Sequence, residues 1–222
     1  MNQLNIIFED NHLLVVNKEA EVVSQGALPG QTSLIDLAKA YLKKKYSKPG
    51  NVYLGVVSRL DSQVTGVIVL AKTSKAAARL TQQFQNSEVT KTYWALVDDR
   101  LGKDEALLQD YLLKNDAAKK MQVVSENTAG AKLAKLNYQR RTRLESGLSL
   151  VEVALLTGRK HQIRVQFASR DCPIAGDRKY GSSHRFPKGI ALHSRTLELR
   201  HPTQKETMTF EADVPDYWPM IN

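Results

Sequence analysis

An arginine and an aspartate stand close together just before a short apolar run. Arg59 and Asp61 flank one leucine, and Gly66 then precedes the apolar residues 67–71. Charged groups at the mouth of a buried strand are costly to place unless they face a cleft or each other. Loops at strand ends often hold binding and catalytic groups. The segment therefore indicates either a site built on a carboxylate or a surface salt bridge beside a tight turn.

A second polar segment follows a strong strand pattern over residues 148–156. Residues 157–166 read Thr-Gly-Arg-Lys-His-Gln-Ile-Arg-Val-Gln. Thr157 is a candidate cap for a helix over residues 159–170. Because a helix N-terminus that carries basic groups is a natural phosphate site, this segment predicts an anion contact.

Two further segments carry residues that can do chemistry. Residues 91–97 alternate as a strand that places Lys91 and Tyr93 on one face. Residues 173–181 read Pro-Ile-Ala-Gly-Asp-Arg-Lys-Tyr-Gly, which predicts a turn whose Asp177 ties down backbone amides.

In this order the four segments resemble the RluA-type pseudouridine synthases. That family carries an H-R-L-D-x-x-T-S-G motif, a K-x-Y-x-A-x-V strand, a G-R-x-H-Q-I-R-x-H element and a P-I-x-G-D-x-x-Y-G loop. The resemblance extends over residues 6–219. Four positions depart from it: Ser58 and Gln166 replace histidines, and Val64-Thr65 replace Thr-Ser. These departures bear on local support and substrate preference more than on the reaction.

The resemblance implies a role for each key residue. Asp61 is the essential aspartate, acting as nucleophile at C1′ or as base on the sugar. Tyr93 stacks on the base, and Arg164 pairs with Asp61 and keeps that carboxylate ionised. The residues expected to contact RNA are Arg59, Lys91, Arg159, Lys160, His161 and Gln162. Without the resemblance, Tyr93 would be a core aromatic, Arg164 a helix-surface residue and Arg59 a salt-bridge partner.

Composition narrows the class of partner. The 222 residues include 32 Lys and Arg against 23 Asp and Glu, a formal net charge of +9. That excess suits a polyanion such as RNA. The single cysteine, Cys172, excludes an internal disulfide and a cysteine-based zinc site. We expect neither metal nor cofactor, because the sequence offers no ligand cluster and no phosphate-binding glycine-rich loop.

The N-terminus carries no secretory signal pattern, and no apolar run approaches the roughly 20 residues that cross a bilayer. We therefore expect a cytoplasmic protein that acts as a monomer. The resemblance implies that residues 1–222 form a single catalytic domain, without the small RNA-binding S4 domain that precedes it in some relatives.

The patterns along the chain predict an α+β fold, with a mixed, largely antiparallel sheet flanked by helices. Residues 102–131 are the least patterned stretch. Helices are predicted over residues 33–46, 74–84 and 159–170. Strands are predicted over residues 6–8, 13–17, 52–57, 67–71, 91–98, 133–143, 148–156, 190–200 and 206–212.

The predicted function is isomerisation of uridine in structured RNA, ribosomal or transfer RNA. One alternative is an RNA-binding relative that has lost activity, which the two replaced histidines motivate. A glycosidase-like hydrolase would need a second acid in an equally convincing motif, and Asp177 is the only candidate. A metal-dependent nuclease would need clustered carboxylates and histidines, which five scattered histidines do not supply.

Overall fold

The computed structural model describes residues 4–28 and 30–219. Their helices are α1 (Leu34–Lys45), α2 (Ser74–Gln85) and α3 (Gln162–Ala168), and a 3-10 turn covers Arg178–Tyr180. Their strands are β1 (Asn5–Glu9), β2 (Leu13–Lys18), β3 (Gly55–Val56), β4 (Thr65–Ala71), β5 (Thr90–Asp98), β6 (Glu105–Asn115), β7 (Lys120–Val124), β8 (Lys132–Arg143), β9 (Leu148–Leu155), β10 (Leu192–Arg200) and β11 (Thr207–Glu211). No helix among these residues is long and apolar enough to cross a bilayer.

The chain divides into two compact units. Unit 1 comprises the residues up to Lys91 and those from Ser194 onward, and unit 2 comprises Thr92–His193. Strand pairing within both units is largely antiparallel. Along the chain, each helix is preceded and followed by strands. The predicted α+β class is confirmed, whereas the single domain over residues 1–222 stays a prediction.

Unit 1 is a sheet with a helix on each face. Its strand order is β1-β2-β4-β10, with β3 beside β4 and β11 beside β10. One face of β2 and β4 packs against α1, through Leu34, Ala38 and Leu42. The other face packs against α2, through Ala76 and Leu80. Because both faces are covered, every residue of β4 is buried, which explains its unbroken apolar run.

The ends of α1 follow from local sequence. Ser33 and Asp36, which lie three positions apart, form a capping box. At the other end Ser47 has a left-handed φ of 47°, and the Lys48 amide donates to the Lys43 carbonyl at 3.1 Å. This is a Schellman arrangement that ends the helix before Pro49.

Unit 2 contains a five-stranded antiparallel arrangement in the order β5-β9-β8-β6-β7. Strands β6 and β7 lie within residues 102–131, the least patterned stretch of the sequence, for which no strand was predicted. In β6 only Leu108 and Leu112 are fully buried, while Leu107 on the opposite face is exposed. Because β6 carries apolar residues on both faces, its sequence does not show the polar–apolar alternation of a half-buried strand. Its pairing with β8 makes it a strand instead.

Gly66 lies where β4 follows the Asp61 loop. Its φ is +111°, and a Cβ at this position would overlap the carbonyl group of Ser194. Both facts require glycine, because L-residues rarely adopt this conformation and the backbone of β10 cannot yield cheaply.

We expect Gly66→Ala to lower the free energy of unfolding by at least about 2 kcal/mol, because backbone strain and a backbone clash combine. Urea denaturation measures this change. Gly102→Ala is the matched control, since a Cβ at Gly102 meets nothing within 4 Å. Equal stability of the two variants would contradict the packing described for Gly66.

Candidate active site

The segment that carries Asp61 is held by its neighbours on both sides. The Ser24 hydroxyl donates to the Leu60 carbonyl at 2.9 Å and accepts from the Leu60 amide at 3.3 Å. The Asp61 carbonyl accepts from the Val64 amide at 3.1 Å, which closes a turn. Asp61 is half-buried and Arg59 is exposed. A half-buried carboxylate on a fixed loop is suited to catalysis, because little ordering remains to be done when substrate binds.

A buried lysine fixes the other side of this loop. Lys18, at the end of β2, is only 1% exposed. Its ammonium donates to the carbonyls of Glu19 at 2.8 Å, Val22 at 2.9 Å and Ser62 at 3.2 Å. Ser62 directly follows Asp61, so this buried cation positions the main chain beside the carboxylate. The sequence analysis missed Lys18; its one signal was a lysine ending the apolar run of β2.

In unit 2, Arg164 forms a buried ion pair with Asp177. Arg164 is 5% exposed and Asp177 is 1% exposed. The guanidinium donates from Nε to Oδ2 at 2.6 Å and from Nη2 to Oδ1 at 2.9 Å. A bidentate pair of this kind fixes the plane of the guanidinium as well as its position.

This geometry corrects the interpretation of Asp177. The amides of Tyr180 and Ser182 donate to the Asp177 main-chain carbonyl, and the carboxylate binds Arg164 instead of backbone amides. Sequence reasoning therefore missed the function of Asp177 in positioning an arginine. The predicted pairing of Arg164 with Asp61 stays a prediction.

Tyr180 connects Arg164 with His161. The Arg164 guanidinium lies 5.0 Å from the centre of the Tyr180 ring, a cation–π distance. The Tyr180 hydroxyl accepts from the Met121 amide at 3.0 Å and lies 2.9 Å from His161 Nδ1. Arg164, Asp177, Tyr180 and His161 thus form one polar cluster, which we call the Arg164 cluster.

The turn before α3 differs from the prediction. The helix begins at Gln162, its N-cap His161 has a left-handed φ of 52°, and no side chain caps it. Thr157 is therefore not the cap: its hydroxyl donates to the Gln162 side chain at 2.7 Å and accepts from the Lys135 amide at 2.8 Å. The left-handed residue reverses the chain too sharply for the helix to begin at Arg159.

The residues of this turn differ in solvent exposure. Arg159 and Lys160 are exposed, whereas Gln162 is buried. The Gln162 side chain accepts from the Arg159 amide at 3.0 Å and donates to the Lys135 carbonyl at 3.0 Å. Gln162 therefore stabilises the turn that presents the two exposed cations.

Tyr93 and Lys91 lie on β5. Tyr93 is 9% exposed and faces Val153 of β9 in the register. The Lys91 ammonium lies 5.9 Å from the centre of the Phe84 ring, and burial lowers the pKa of Lys91. Both side chains are thus held by packing on a strand.

The replaced histidine at position 166 has a packing explanation. Gln166 is fully buried, and its amide nitrogen donates to the Asp110 carboxylate at 2.7 Å. Arg170 donates two further hydrogen bonds to the same carboxylate, at 2.9 and 3.1 Å. Gln166 and Arg170 thus join α3 to β6, which is structural support. Ser58, at the other replaced histidine, is half-buried.

Other candidate chemistry is weak in the part of the chain that the structure describes. Cys172 is buried, and burial raises the pKa of its thiol, which disfavours the reactive thiolate. Among residues 4–28 and 30–219, no group of three or more His, Cys, Asp or Glu could hold a metal ion. The carboxylate of Asp61 and the Arg164 cluster remain the strongest candidates.

The comparisons with known proteins agree on one family. The family model described as RNA pseudouridylate synthase matches residues 12–169. An uncharacterized RNA pseudouridine synthase, YhcT, of Bacillus subtilis is 33% identical over 215 residues, which cover 96% of this chain and 69% of the relative. The ribosomal large subunit pseudouridine synthase D of Zymomonas mobilis is 33% identical over 223 residues, with the same coverage.

Solved structures show the same fold. Human RNA pseudouridylate synthase domain containing 4 superposes with a TM-score of 0.79 at 25% identity, over 96% of this chain and 89% of that one. Human RNA pseudouridylate synthase domain containing 1 gives a TM-score of 0.76 at 26% identity, over 96% and 84%. The motifs, the fold and the relatives together place the chain in the RNA pseudouridylate synthase family, as an enzyme that isomerises uridine in RNA to pseudouridine.

Proposed function

We propose that the protein modifies uridines in structured RNA, ribosomal or transfer RNA, with Asp61 as the catalytic carboxylate. The observation that supports Asp61 most directly is the pair of anchors around it. Ser24 holds Leu60 on one side and Lys18 holds Ser62 on the other. Two anchored neighbours fix a carboxylate in place before substrate arrives, which is the geometry that effective catalysis needs.

The reaction moves a base without changing its composition. The N1–C1′ bond breaks, the uracil turns, and a C5–C1′ bond forms while C5 loses a proton and N1 gains one. As a nucleophile, Asp61 would bond to C1′ as N1 leaves, and C5 would then displace it. As a base, Asp61 would instead take a proton from the sugar. Both routes require an ionised carboxylate beside the ribose.

Tyr93 and Arg164 complete the proposed chemistry. Tyr93 would stack on the uracil, which must be held while it turns, and its hydroxyl could assist proton transfer at C5. Arg164 would bind the Asp61 carboxylate and aim it at the ribose. Its bidentate bond to Asp177 supports this role, because two hydrogen bonds fix both the plane and the direction of the guanidinium.

The exposed cations are the proposed RNA contacts. Arg59, Arg159 and Lys160 are exposed and suited to phosphate. His161 and Lys91 would also contact the RNA, whereas Gln162 would act through the turn that it stabilises. We propose a loop or weak pair as the target, because extruding a base is cheapest there.

Ribosomal RNA is the favoured substrate class, because relatives carry the name ribosomal large subunit pseudouridine synthase. We infer that the protein works in the cytoplasm, where ribosomal RNA is abundant, and as a monomer without metal or cofactor. Pseudouridine mapping across total RNA, with and without the gene, identifies the modified positions.

We expect Asp61→Asn to abolish isomerisation while RNA affinity changes little, because the amide can neither attack C1′ nor accept a proton. The loss should exceed the ~10²–10⁴ typical of a general base. Single-turnover release of tritium from 5-labelled uridine in RNA measures the step.

The matched control is Asp171→Asn. Asp171 is exposed and has a φ of 56°, a conformation that asparagine tolerates well. The Asp171→Asn variant should therefore isomerise uridine at the wild-type rate. Activity within tenfold of wild type in the Asp61 variant would remove Asp61 from the mechanism. An inactive wild type, tested on mapped RNA, would favour an RNA-binding relative that has lost activity.

We expect Tyr93→Phe to bind RNA as the wild type does, because the ring is retained. Tyr93→Ala should lose about 1–3 kcal/mol of binding, the usual value of one stacked base. Fluorescence anisotropy with the mapped stem-loop measures both. A Phe variant that binds normally but is inactive would assign the hydroxyl a chemical role. An Ala variant as active as wild type would make Tyr93 a core residue only.

We expect Asp177→Asn to lower the free energy of unfolding by about 3 kcal/mol, because it leaves the Arg164 guanidinium buried without its counter-charge. Urea denaturation measures the change. Asp116→Asn is the control, since Asp116 pairs with Lys114 at the surface and such pairs contribute at most about 1 kcal/mol. Similar losses in both variants would show that Arg164 does not depend on Asp177.

A further inference from the structure

A cavity on unit 1 is lined by none of the residues assigned to the candidate active site. It has a volume of about 290 Å³ and lies between α1 and the segment that follows the helix. Its lining residues are Lys39, Ala40, Lys43, Gly50, Asn51 and Val52. Val52 is buried in the core cluster that includes Leu42, so the wall on that side is fixed by packing.

The cavity lies in a strongly basic part of the sequence. Residues 37–60 contain five lysines and one arginine and no acidic residue. Lys45 is balanced by Glu9, at 2.7 Å. Among residues 4–28 and 30–219, no carboxylate lies within ion-pair distance of Lys39, Lys43, Lys44 or Lys48, and all four are exposed. Asp36 lies one turn before Lys39, and hydrogen bonds from Ser33 together with the nearby charge of Lys39 lower the pKa of Asp36. The rim of the cavity is therefore positive and ready for an anion.

Glu9 is the partner of one of these lysines, Lys45. It accepts from Lys45, Lys72, Tyr41 and Tyr46. Partial burial opposes ionisation of Glu9, but these four donors outweigh it and lower its pKa to about 2. Glu9 is thus a permanent anion engaged with Lys45 and Lys72, and it leaves Lys39 and Lys43 to other partners.

Stabilisation of the helix end does not account for Lys39. Cations in the last turn suit the helix dipole, which explains Lys43 to Lys45. Lys39 lies more than a turn earlier. It is four residues from Lys43, a spacing at which like charges on a helix repel. An anion bound between the two ammonium groups would remove that repulsion.

The remaining lining has the composition of a nucleotide site. Ala40 is exposed and offers apolar surface to a base, whereas Val52, at 7% exposed, contributes little. The Asn51 amide can both donate and accept, as recognition of a base edge requires. Next to the cavity in sequence, Tyr53 is 50% exposed and Tyr46 is 47% exposed. Exposed aromatic rings among cations are typical of surfaces that bind single-stranded nucleic acid.

We propose that this cavity binds one nucleotide of the RNA substrate, outside the uridine that is isomerised. Lys39 and Lys43 hold its phosphate, and Asn51 contacts its base. The assignment rests on the proposed RNA substrate, and it adds a second contact that tethers a single-stranded flank of the RNA to unit 1.

The test compares two double variants with the same change of charge. Lys39→Gln with Lys43→Gln removes the rim cations and keeps good helix formers. Lys75→Gln with Lys205→Gln is the control, because both lysines are exposed in unit 1 and neither lines the cavity. The probe is a fluorescein-labelled twelve-nucleotide oligouridylate, titrated by anisotropy at several salt concentrations. Far-ultraviolet circular dichroism checks that each variant is folded.

The rim variant should bind about tenfold more weakly, and its slope of log K against log salt should fall by about 0.7, the value for the one phosphate contact that is lost. The control should stay within about twofold of wild type. In the wild type, the oligonucleotide should shift the NMR signal of the Asn51 side-chain amide. Equal weakening of both variants, or an unshifted Asn51 signal, would overturn the proposal.

Two further readouts separate this proposal from its alternatives. Uridine 5′-monophosphate that shifts Asn51 at lower concentration than the oligonucleotide would make the occupant a free nucleotide and overturn the assignment to RNA. Tritium release is measured in parallel on the mapped RNA. A rim variant with wild-type RNA affinity and wild-type isomerisation overturns the cavity proposal alone. Absence of tritium release by the wild type overturns the proposed function, whatever the binding data show.

Discussion

The buried ammonium of Lys18 is the contact on which the candidate catalytic loop depends. Lys18 lies at the end of β2, and its ammonium donates to three carbonyl oxygens. One of these belongs to Ser62, which directly follows Asp61. A buried cation is costly unless polar partners satisfy it. Once satisfied, it couples the core strand to the loop, because moving the loop would leave both the ammonium and a carbonyl without partners. Strand β2 itself is fixed by core packing on both faces of the unit 1 sheet.

In unit 2 a buried ion pair fixes a side chain of the candidate site. Arg164 and Asp177 are both buried, and two hydrogen bonds fix the guanidinium plane. Breaking such a pair costs more than forming it gains, since one charge would remain buried alone. Tyr180 adds an aromatic face to the arginine and a hydroxyl to His161. In each unit a buried charged group thus fixes the position of a candidate-site residue through partners that are distant in sequence.

The departures from the family motifs become intelligible in this setting. Gln166 replaces a histidine but binds Asp110 together with Arg170, so the position joins α3 to β6. A neutral amide can do this as well as an imidazole can, because both donate an N–H to a carboxylate. At this position the side chain therefore supports the helix.

The sequence by itself determined the order of the four motifs, the capping box of α1, the buried apolar strands and the positive charge. These are local or compositional properties: a cap needs residues three positions apart, and a strand buried on both faces needs an apolar run. The family followed from the motifs, and the comparisons confirmed it.

Only the tertiary structure decided the rest. Strand β6 has apolar residues on both faces, so pairing with β8, not periodicity, makes it a strand. Thr157 binds Lys135 and Gln162 instead of capping α3, because His161 takes a left-handed conformation. Lys18 binds Ser62, which is 44 residues away in sequence, and Arg164 binds Asp177, which is 13 residues away. Partners so far apart in sequence are chosen by the packing of whole elements, which spacing along the chain does not encode.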